Sequence, residues 1–411
     1  MSKSNCLNSI AIIFALNLFI TAGLSANWYK STSNSSINKK EISYQSEPAD
    51  SKSDSLPEGI TKDWLSTLRD ENGNRITPER GSENSREFVE DPEGDAMQRK
   101  IFDGINTGDR FGNSVSSAGD VNGDGYDDII VGAPNYSNTG RVYLYFGGLT
   151  IGLINDTADV TITGVAVNSN FGFVVSSAGD VNDDGYDDVI VGADEYSSST
   201  GRAYVYFGGA SMNNVADVIM TGEAANNFFG NSVSSAGDVN GDGYSDVIAG
   251  ARGYSSNTGR AYVFFGGAVM NNAADVIMTG EAASNFFGRS VSSAGDVNGD
   301  GYSDVIVGAD GYSSDTGRAY VFFGGAVMDS AADVTMTGEA AGSFGFSVSS
   351  AGDVNGDGYS DVIVGADGYS SNTGKAYVYF GGAVTNNDAD VMMTGKQLTT
   401  VSEFKFLRHA M

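Results

Sequence analysis

From about residue 96 onward, short apolar runs alternate with small polar clusters. Within one stretch, Phe287 to Ser293 is followed by an acidic loop, and Asp304-Val-Ile-Val-Gly-Ala309 is a compact apolar run. Gly317-Arg-Ala-Tyr-Val-Phe-Phe323 alternates and is rich in aromatics, and Ala332-Asp-Val-Thr-Met-Thr337 is a weaker fourth run. Gly, Asn, Asp and Ser, the turn formers, fill the gaps. The pattern predicts four short strands joined by hairpins.

The unit then recurs. Ala-Gly-Asp-Val-Asn-Gly-Asp-Gly-Tyr begins at Ala118, Ala236, Ala294 and Ala351, and a variant with Asp183 for the first inner Gly begins at Ala178. The leading aspartates are spaced by 60, 58, 58 and 57 residues. Repeats of this length mean solenoids or propellers. The coils of a parallel β-solenoid are much shorter and leave four strands per unit unexplained. The fold class is therefore all-β, a β-propeller of four-stranded blades with five repeats over residues 96–395.

The flanks read differently. Met1 to Ala26 has Lys3, an apolar run from Ile10 to Ile20 and a small-residue end, the layout of a signal peptide. If retained, it would be an anchor. Cleavage would remove Cys6, the only cysteine, and exclude a disulfide framework. Residues 27–95 are polar with no lasting period and read as a disordered linker, with a short helix near Lys62 to Arg69 as one option. Residues 396–411 match no part of the repeat.

Composition narrows the chemistry. The only His is His409, so no Ser-His-Asp triad, Cys-His pair or His/Cys zinc site has its residues in the repeats. A formal net charge of −29 opposes nucleic acid binding. With 56 Gly and 5 Pro, the chain suits many strands and tight turns. Carboxylate chemistry and oxygen-ligand metal binding survive.

Phe-Gly-x-Ser-Val, then the Asp-rich loop, then Val131-Gly-Ala-Pro134 resembles the FG-GAP repeat of integrin α-subunit amino-terminal propellers. The Phe-Gly pair recurs at Phe111, Phe171, Phe229, Phe287 and Phe344. The Pro occurs only at Pro134; Asp194, Arg252, Asp310 and Asp367 stand elsewhere. The resemblance implies a propeller on the cell surface or secreted, serving adhesion or protein recognition. That family builds seven blades, and this chain carries five repeats.

In Asp120-Val-Asn122-Gly-Asp124-Gly125-Tyr126-Asp-Asp128, side-chain oxygens fall at positions 1, 3, 5 and 9, with Gly at 6 for the sharp turn. Ca²⁺ takes six to eight oxygens, and alternate residues converge on it. The Tyr126 carbonyl suits position 7, and Asp128 replaces the Glu an EF-hand would place at position 12, as in the FG-GAP family. The same assignment gives Asp180, Asn182, Asp184, Tyr186 and Asp188; Asp238, Asn240, Asp242, Tyr244 and Asp246; Asp296, Asn298, Asp300, Tyr302 and Asp304; and Asp353, Asn355, Asp357, Tyr359 and Asp361. About five structural Ca²⁺ are expected. An Asx-turn loop without metal is the alternative.

In a four-stranded meander the acidic loops lie on one side and the second connections on the other. There, Tyr136, Tyr196, Tyr254, Tyr312 and Tyr369 are each followed by Ser. They form a possible face for a protein or glycan ligand, since integrin propellers meet ligand on this side, or each packs on its own hairpin. Arg141, Arg202, Arg260, Arg318 and Lys375 are expected to pair with loop acids. A carboxylate-based, glycosidase-like hydrolase and a purely structural surface protein are the competing functions. Repetition argues against the hydrolase, because catalysis needs one asymmetric constellation. Finally, Ala96 to Gly104 reads as a spare fourth strand. It predicts a closed five-bladed ring, with this segment at the seam beside or instead of Ala389 to Gly395; an open arc is the alternative.

Overall fold

The computed structural model describes residues 26–30 and 37–42, for these two the backbone alone, and residues 101–148, 157–384 and 386–395. The chain divides into two units, Met1–Asp95 and Ala96–Met411. In the first unit, Ala26–Lys30 pairs antiparallel with Ile37–Ile42, with a bulge between Asn27 and Trp28. No element was expected there, because Ile37-Asn-Lys-Lys-Glu-Ile42 shows no alternation. The apolar run Ile10 to Ile20, the 62–69 segment and the 396–411 tail lie outside the described residues. Among the described residues no helix is long and apolar enough to cross a membrane.

The second unit holds five four-stranded antiparallel sheets, each a meander in chain order. Blade 1 is Ser114–Gly119, Asp128–Ala133, Arg141–Tyr145 and Val160–Thr163. Blade 2 is Val174–Gly179, Asp188–Ala193, Arg202–Tyr206 and Val218–Thr221. Blade 3 is Phe229–Gly237, Asp246–Ala251, Arg260–Phe264 and Val276–Thr279. Blade 4 is Val291–Gly295, Asp304–Ala309, Arg318–Phe322 and Val334–Thr337. Blade 5 is Phe344–Gly352, Asp361–Ala366, Lys375–Tyr379 and Val391–Thr394. The second strand is the unbroken apolar run and is buried on both faces; the fourth alternates buried and exposed in blades 2 and 3, as an outer strand should.

The core lies between blades. Ile130, Leu144 and Ile162 of blade 1 pack with Phe171, Val191 and Tyr204 of blade 2, and the equivalent residues pack at the next three seams. The Phe of each Phe-Gly pair is the anchor: Phe171, Phe229, Phe287 and Phe344 are fully buried. Each meets a Tyr edge-on, with ring centroids 5.0 to 5.4 Å apart. Each Phe also makes a parallel backbone bridge to the preceding blade, at Gly140, Gly201, Gly259 and Gly317. One glycine sets how near the blades come. A Cβ on Gly308 would fall on the carbonyl oxygen of Gly345 in the next blade, and Gly132, Gly192 and Gly250 are placed alike.

The second connection of each blade is a left-handed turn. In blade 3, Ser255, Ser256 and Asn257 have φ of 46°, 59° and 63°. Such residues cost roughly 1–2 kcal/mol each. What offsets this is a docking site. The carbonyls of Ser256, Asn257 and Thr258 accept the N–H groups of Ser284, Phe286 and Phe287 on the crossover to blade 4.

The expected ring closure is not found. Four seams are built, and among the described residues neither a backbone bridge nor a buried cluster joins blade 5 to blade 1. Gly365, the blade 5 counterpart of Gly308, meets only Ser347 at 3.6 Å or beyond. The four seams are alike, so each adds a similar rotation, and five blades leave the end faces apart. Among its described residues this unit is an open arc. The spare segment is partly as expected. Gly104 sits 2.8 Å from the Phe111 Cβ, measured from an added Cβ, just as Gly338 sits 2.8 Å from that of Phe344. Phe102 packs on Tyr145 at 4.4 Å. Residues 101–104 form no strand, 96–100 lie outside the described residues, and blade 5 keeps its own fourth strand.

Candidate metal centre

Each acidic loop joins the first two strands of its blade. In Asp296–Asp304, the Asp296 carboxylate accepts the N–H groups of Gly299 at 2.7 Å, Asp300 at 3.1 Å and Gly301 at 2.9 Å. Asn298 Oδ1 accepts the Asp300 N–H at 2.9 Å, and its Nδ2 donates to Asp300 Oδ2 at 2.9 Å. Asp300 Oδ1 accepts the Tyr302 N–H at 3.0 Å. The loop thus wraps its backbone around three side chains, and Gly301, at φ 91°, makes the turn. These are the Asx-type bonds of the alternative reading, and they preorganise the same side chains a cation would use.

The other four loops repeat the pattern. The one departure is at Asp183, whose φ of 58° is the left-handed value that Gly holds elsewhere. Its N–H makes no bond equivalent to Gly299 to Asp296.

Position 9 is set apart. Asp304 is fully buried, and its two oxygens accept the N–H groups of Val297 and Gly324, both at 2.8 Å. It ties the loop to the turn after the third strand. Burial, and then the nearby charges of Asp300 and Asp296, push its pKa up to about 7. Asp188 and Asp246 are raised to about 7 and Asp128 to about 6 for the same reasons. Among the described residues no group of three or more acidic side chains stands together in a metal-holding geometry. Positions 1, 3 and 5 are brought together, and position 9 faces the blade interior.

The donor chemistry nevertheless fits a hard cation. A carboxylate has about four lone-pair sites. Asp300 and Asp304 each use two on the bonds above, and Asp296 uses three. Lone-pair sites remain free on each.

The loops are also braced to one another, which the sequence did not reveal. The Ser303 N–H donates to the Asp238 carbonyl at 2.9 Å and the Gly325 N–H to the Val239 carbonyl at 2.7 Å, both across a seam. The Tyr302 ring lies over Gly241 of the preceding loop, as Tyr186 lies over Gly123 and Tyr359 over Gly299.

On the opposite side the five tyrosines are half-buried, each under a cation of its own hairpin. Arg141, Arg202, Arg260 and Arg318 lie 3.6 to 3.8 Å from the ring centres of Tyr136, Tyr196, Tyr254 and Tyr312. Lys375 Nζ lies 5.0 Å from that of Tyr369. Arg260, Arg318 and Lys375 also pair with Glu223, Glu281 and Glu339 at 2.6 to 2.8 Å. Arg141 and Arg202 make no such pair among the described residues, because Ile105 and Val165 stand where those glutamates do. Asp194 is buried and raised to about 6, while Asp310 contacts Arg289 at 3.5 Å. Sequence reasoning also missed Asp159, Asp217, Asp275, Asp333 and Asp390. Each accepts the N–H of the aromatic residue after the third strand, at 2.7 to 2.8 Å. Their recurrence in Ala-Asp-Val was the available signal.

Comparison with known proteins agrees with this geometry. The FG-GAP repeat family matches at residues 111–145, 171–206, 229–264, 287–322 and 344–379, one match per blade. The chain is 35% identical over 120 residues to integrin alpha-6 of Homo sapiens, covering 28% of this chain and 10% of that protein. It is 32% identical over 146 residues to integrin alpha-PS3 of Drosophila melanogaster, covering 34% and 12%. It is 41% identical over 97 residues to integrin alpha-IIb of Mus musculus, covering 23% and 9%. The chain therefore spans about a tenth of the length of the curated relatives it matches.

Proposed function

Starting from an FG-GAP repeat protein that resembles integrin α subunits, we propose that its five acidic loops each bind Ca²⁺ and that the propeller is a non-catalytic adhesion or recognition module. The observation that carries the calcium reading is the oxygen set that each loop's own backbone holds in place, Asp296, Asn298 and Asp300 in blade 4 and their equivalents elsewhere. Asp296, Asn298, Asp300, the Tyr302 carbonyl and Asp304 would hold the ion in blade 4, and the equivalents elsewhere. A bound cation supplies a counter-charge to those carboxylates. Because the loops are braced across seams, ordering one loop supports its neighbour, and binding free energy becomes folding free energy.

The face bearing Tyr136, Tyr196, Tyr254, Tyr312 and Tyr369 would meet a protein or glycan, with the stacked Arg and Lys side chains holding the rings in place. The amino-terminal segment supports a secreted or cell-surface location. Glycosidic, phosphate and ester substrates are expected to show no turnover. The test of the calcium reading is thermal unfolding of the full chain with excess Ca²⁺ and with chelator, alongside calorimetric titration. Ca²⁺ should raise the midpoint, and Asp300→Ala should bind one ion fewer. An unmoved midpoint rejects the reading.

A further inference from the structure

The two end faces of the arc are the two halves of a seam. On the trailing face of blade 5, Val354 is 56% exposed and Met393 42%, whereas their counterparts Val239 and Met278 are fully buried. On the leading face of blade 1, Val115 is 64% exposed, against 4% and 5% at Val233 and Val291. Beside it lies a shallow recess of about 390 Å³ lined by Val115, Ser116, Ser117, Asp127, Asp128 and Ile129. Exposed apolar surface of this kind marks an interaction site.

The backbone groups match as well. At every built seam, two N–H groups of the leading face donate to two carbonyls of the trailing face. Asp187 and Gly209 donate to Asp120 and Val121 at 3.1 and 2.8 Å, and Ser360 and Gly382 donate to Asp296 and Val297 at 2.9 and 2.8 Å. Among the described residues, the counterparts without such a bond are the N–H groups of Asp127 and Gly148 on blade 1 and the carbonyls of Asp353 and Val354 on blade 5. A hydroxyl completes the set. Val291 donates to Ser232 Oγ at 3.0 Å and Val348 to Ser290 Oγ at 3.1 Å. Ser347 Oγ is the matching acceptor on the open face, and the Val115 N–H the matching donor.

We propose that a second copy of this chain supplies the missing half, its blade 1 leading face seating on the blade 5 trailing face to build a further seam of the same kind. The backbone donors, acceptors and apolar positions required are those that already pair at the internal seams, except that the fourth-strand place on blade 1 is held by the chain's own Phe102 and Gly104, which the incoming Val391–Thr394 must displace; one chain cannot bring its own two ends together in the arc. Such a contact is head-to-tail, so it grows by addition and does not stop at two copies unless the assembly closes. A net charge of −29 per copy opposes it, so association strengthens with salt. This inference is independent of what the propeller recognises.

The test is sedimentation of the full chain across a wide concentration range, at low and high salt and with excess Ca²⁺, using Val115→Asp and Met393→Asp, the latter on the trailing face outside the acidic loop. Both positions are exposed in a single copy, so both variants should fold, with unchanged thermal midpoints. The unaltered chain should gain mass with concentration, and each variant alone should stay at the mass of one copy. An equal mixture of the two should reach twice that mass and no more, because one retains an intact trailing face and the other an intact leading face. Hydrogen exchange needs no variant: the amides of Asp127 and Gly148 should gain protection as concentration rises. A chain that stays at the mass of one copy under all conditions, a variant that still associates alone, or a mixture that does not pair would each overturn the proposal.

Discussion

Gly308 and Gly365 occupy the same place in the second strands of blades 4 and 5, yet the arc gives them opposite surroundings. An added Cβ at Gly308 falls on the backbone carbonyl of Gly345, which no rotamer change can move. To admit it, the seam between blades 4 and 5 must open by roughly 1 Å. A gap of that size forfeits up to about half of the dispersion energy of the atoms lining it. Gly308→Ala should therefore cost about 3 kcal/mol, the upper end of overpacking costs. At Gly365 the nearest atom is Ser347 Cβ at 3.6 Å, an ordinary contact. There the methyl group fits, and the less flexible unfolded chain should make Gly365→Ala neutral or stabilising by about 0.5 kcal/mol. Urea unfolding followed by far-ultraviolet circular dichroism, at a protein concentration low enough to hold single copies apart, reads both values. Equal destabilisation by the two changes would refute the open arc, because it would require a blade packed against Gly365.

Asp183→Gly should stabilise the chain by about 0.5–1 kcal/mol, by relieving φ at position 4 of its loop and restoring the N–H bond to Asp180 that Gly makes in the other four; a lower urea midpoint would refute this. Burial raises Asp194 to about 6. A carboxyl that holds its proton more tightly folded than unfolded loses folding stability as pH climbs from about 4 to about 6, and loses none below that window. Asp194→Asn should therefore gain about 3 kcal/mol at pH 8 and nothing near pH 3.5. A gain of the same size at both pH values would point to packing and not to charge.

The strands and loops were legible because their chemistry is local. Asp304 to Ala309 is strand over the very residues its apolar run marks, and the oxygen positions of the acidic loop follow from spacing alone. Strand starts were less clear. Phe287 lies outside its strand, whereas Phe229 and Phe344 begin theirs, and all three also bridge to the preceding blade. Among the described residues, the expected pairing of the five basic residues with acids holds at Arg260, Arg318 and Lys375 only, the three with a Glu after the preceding fourth-strand Gly. Ring closure could not be read, because counting repeats does not measure the rotation per seam. That rotation depends on the approach of Gly308 to Gly345 and the braces from Ser303 to Asp238, contacts between residues far apart in the chain. The burial of position 9 against Gly324 was invisible, since that partner sits 20 residues away.

The sameness of the seams bears on how such a gene can change length. Each blade presents its successor with an interchangeable face, so excising one whole unit, or copying one in, exchanges a seam for an equivalent seam. The stability of the array then changes by one blade and one interface, and nothing else must be redesigned. Selection would tolerate such events far better than the loss of a single strand, which leaves a blade unfinished and a face mismatched. The third, fourth and fifth units carry the identical run Ala-Gly-Asp-Val-Asn-Gly-Asp-Gly-Tyr-Ser-Asp-Val-Ile, the mark of units copied from one another. Blade number is in this sense a slowly drifting quantity, set by recombination between near-identical stretches of coding sequence, while the architecture of each seam stays fixed.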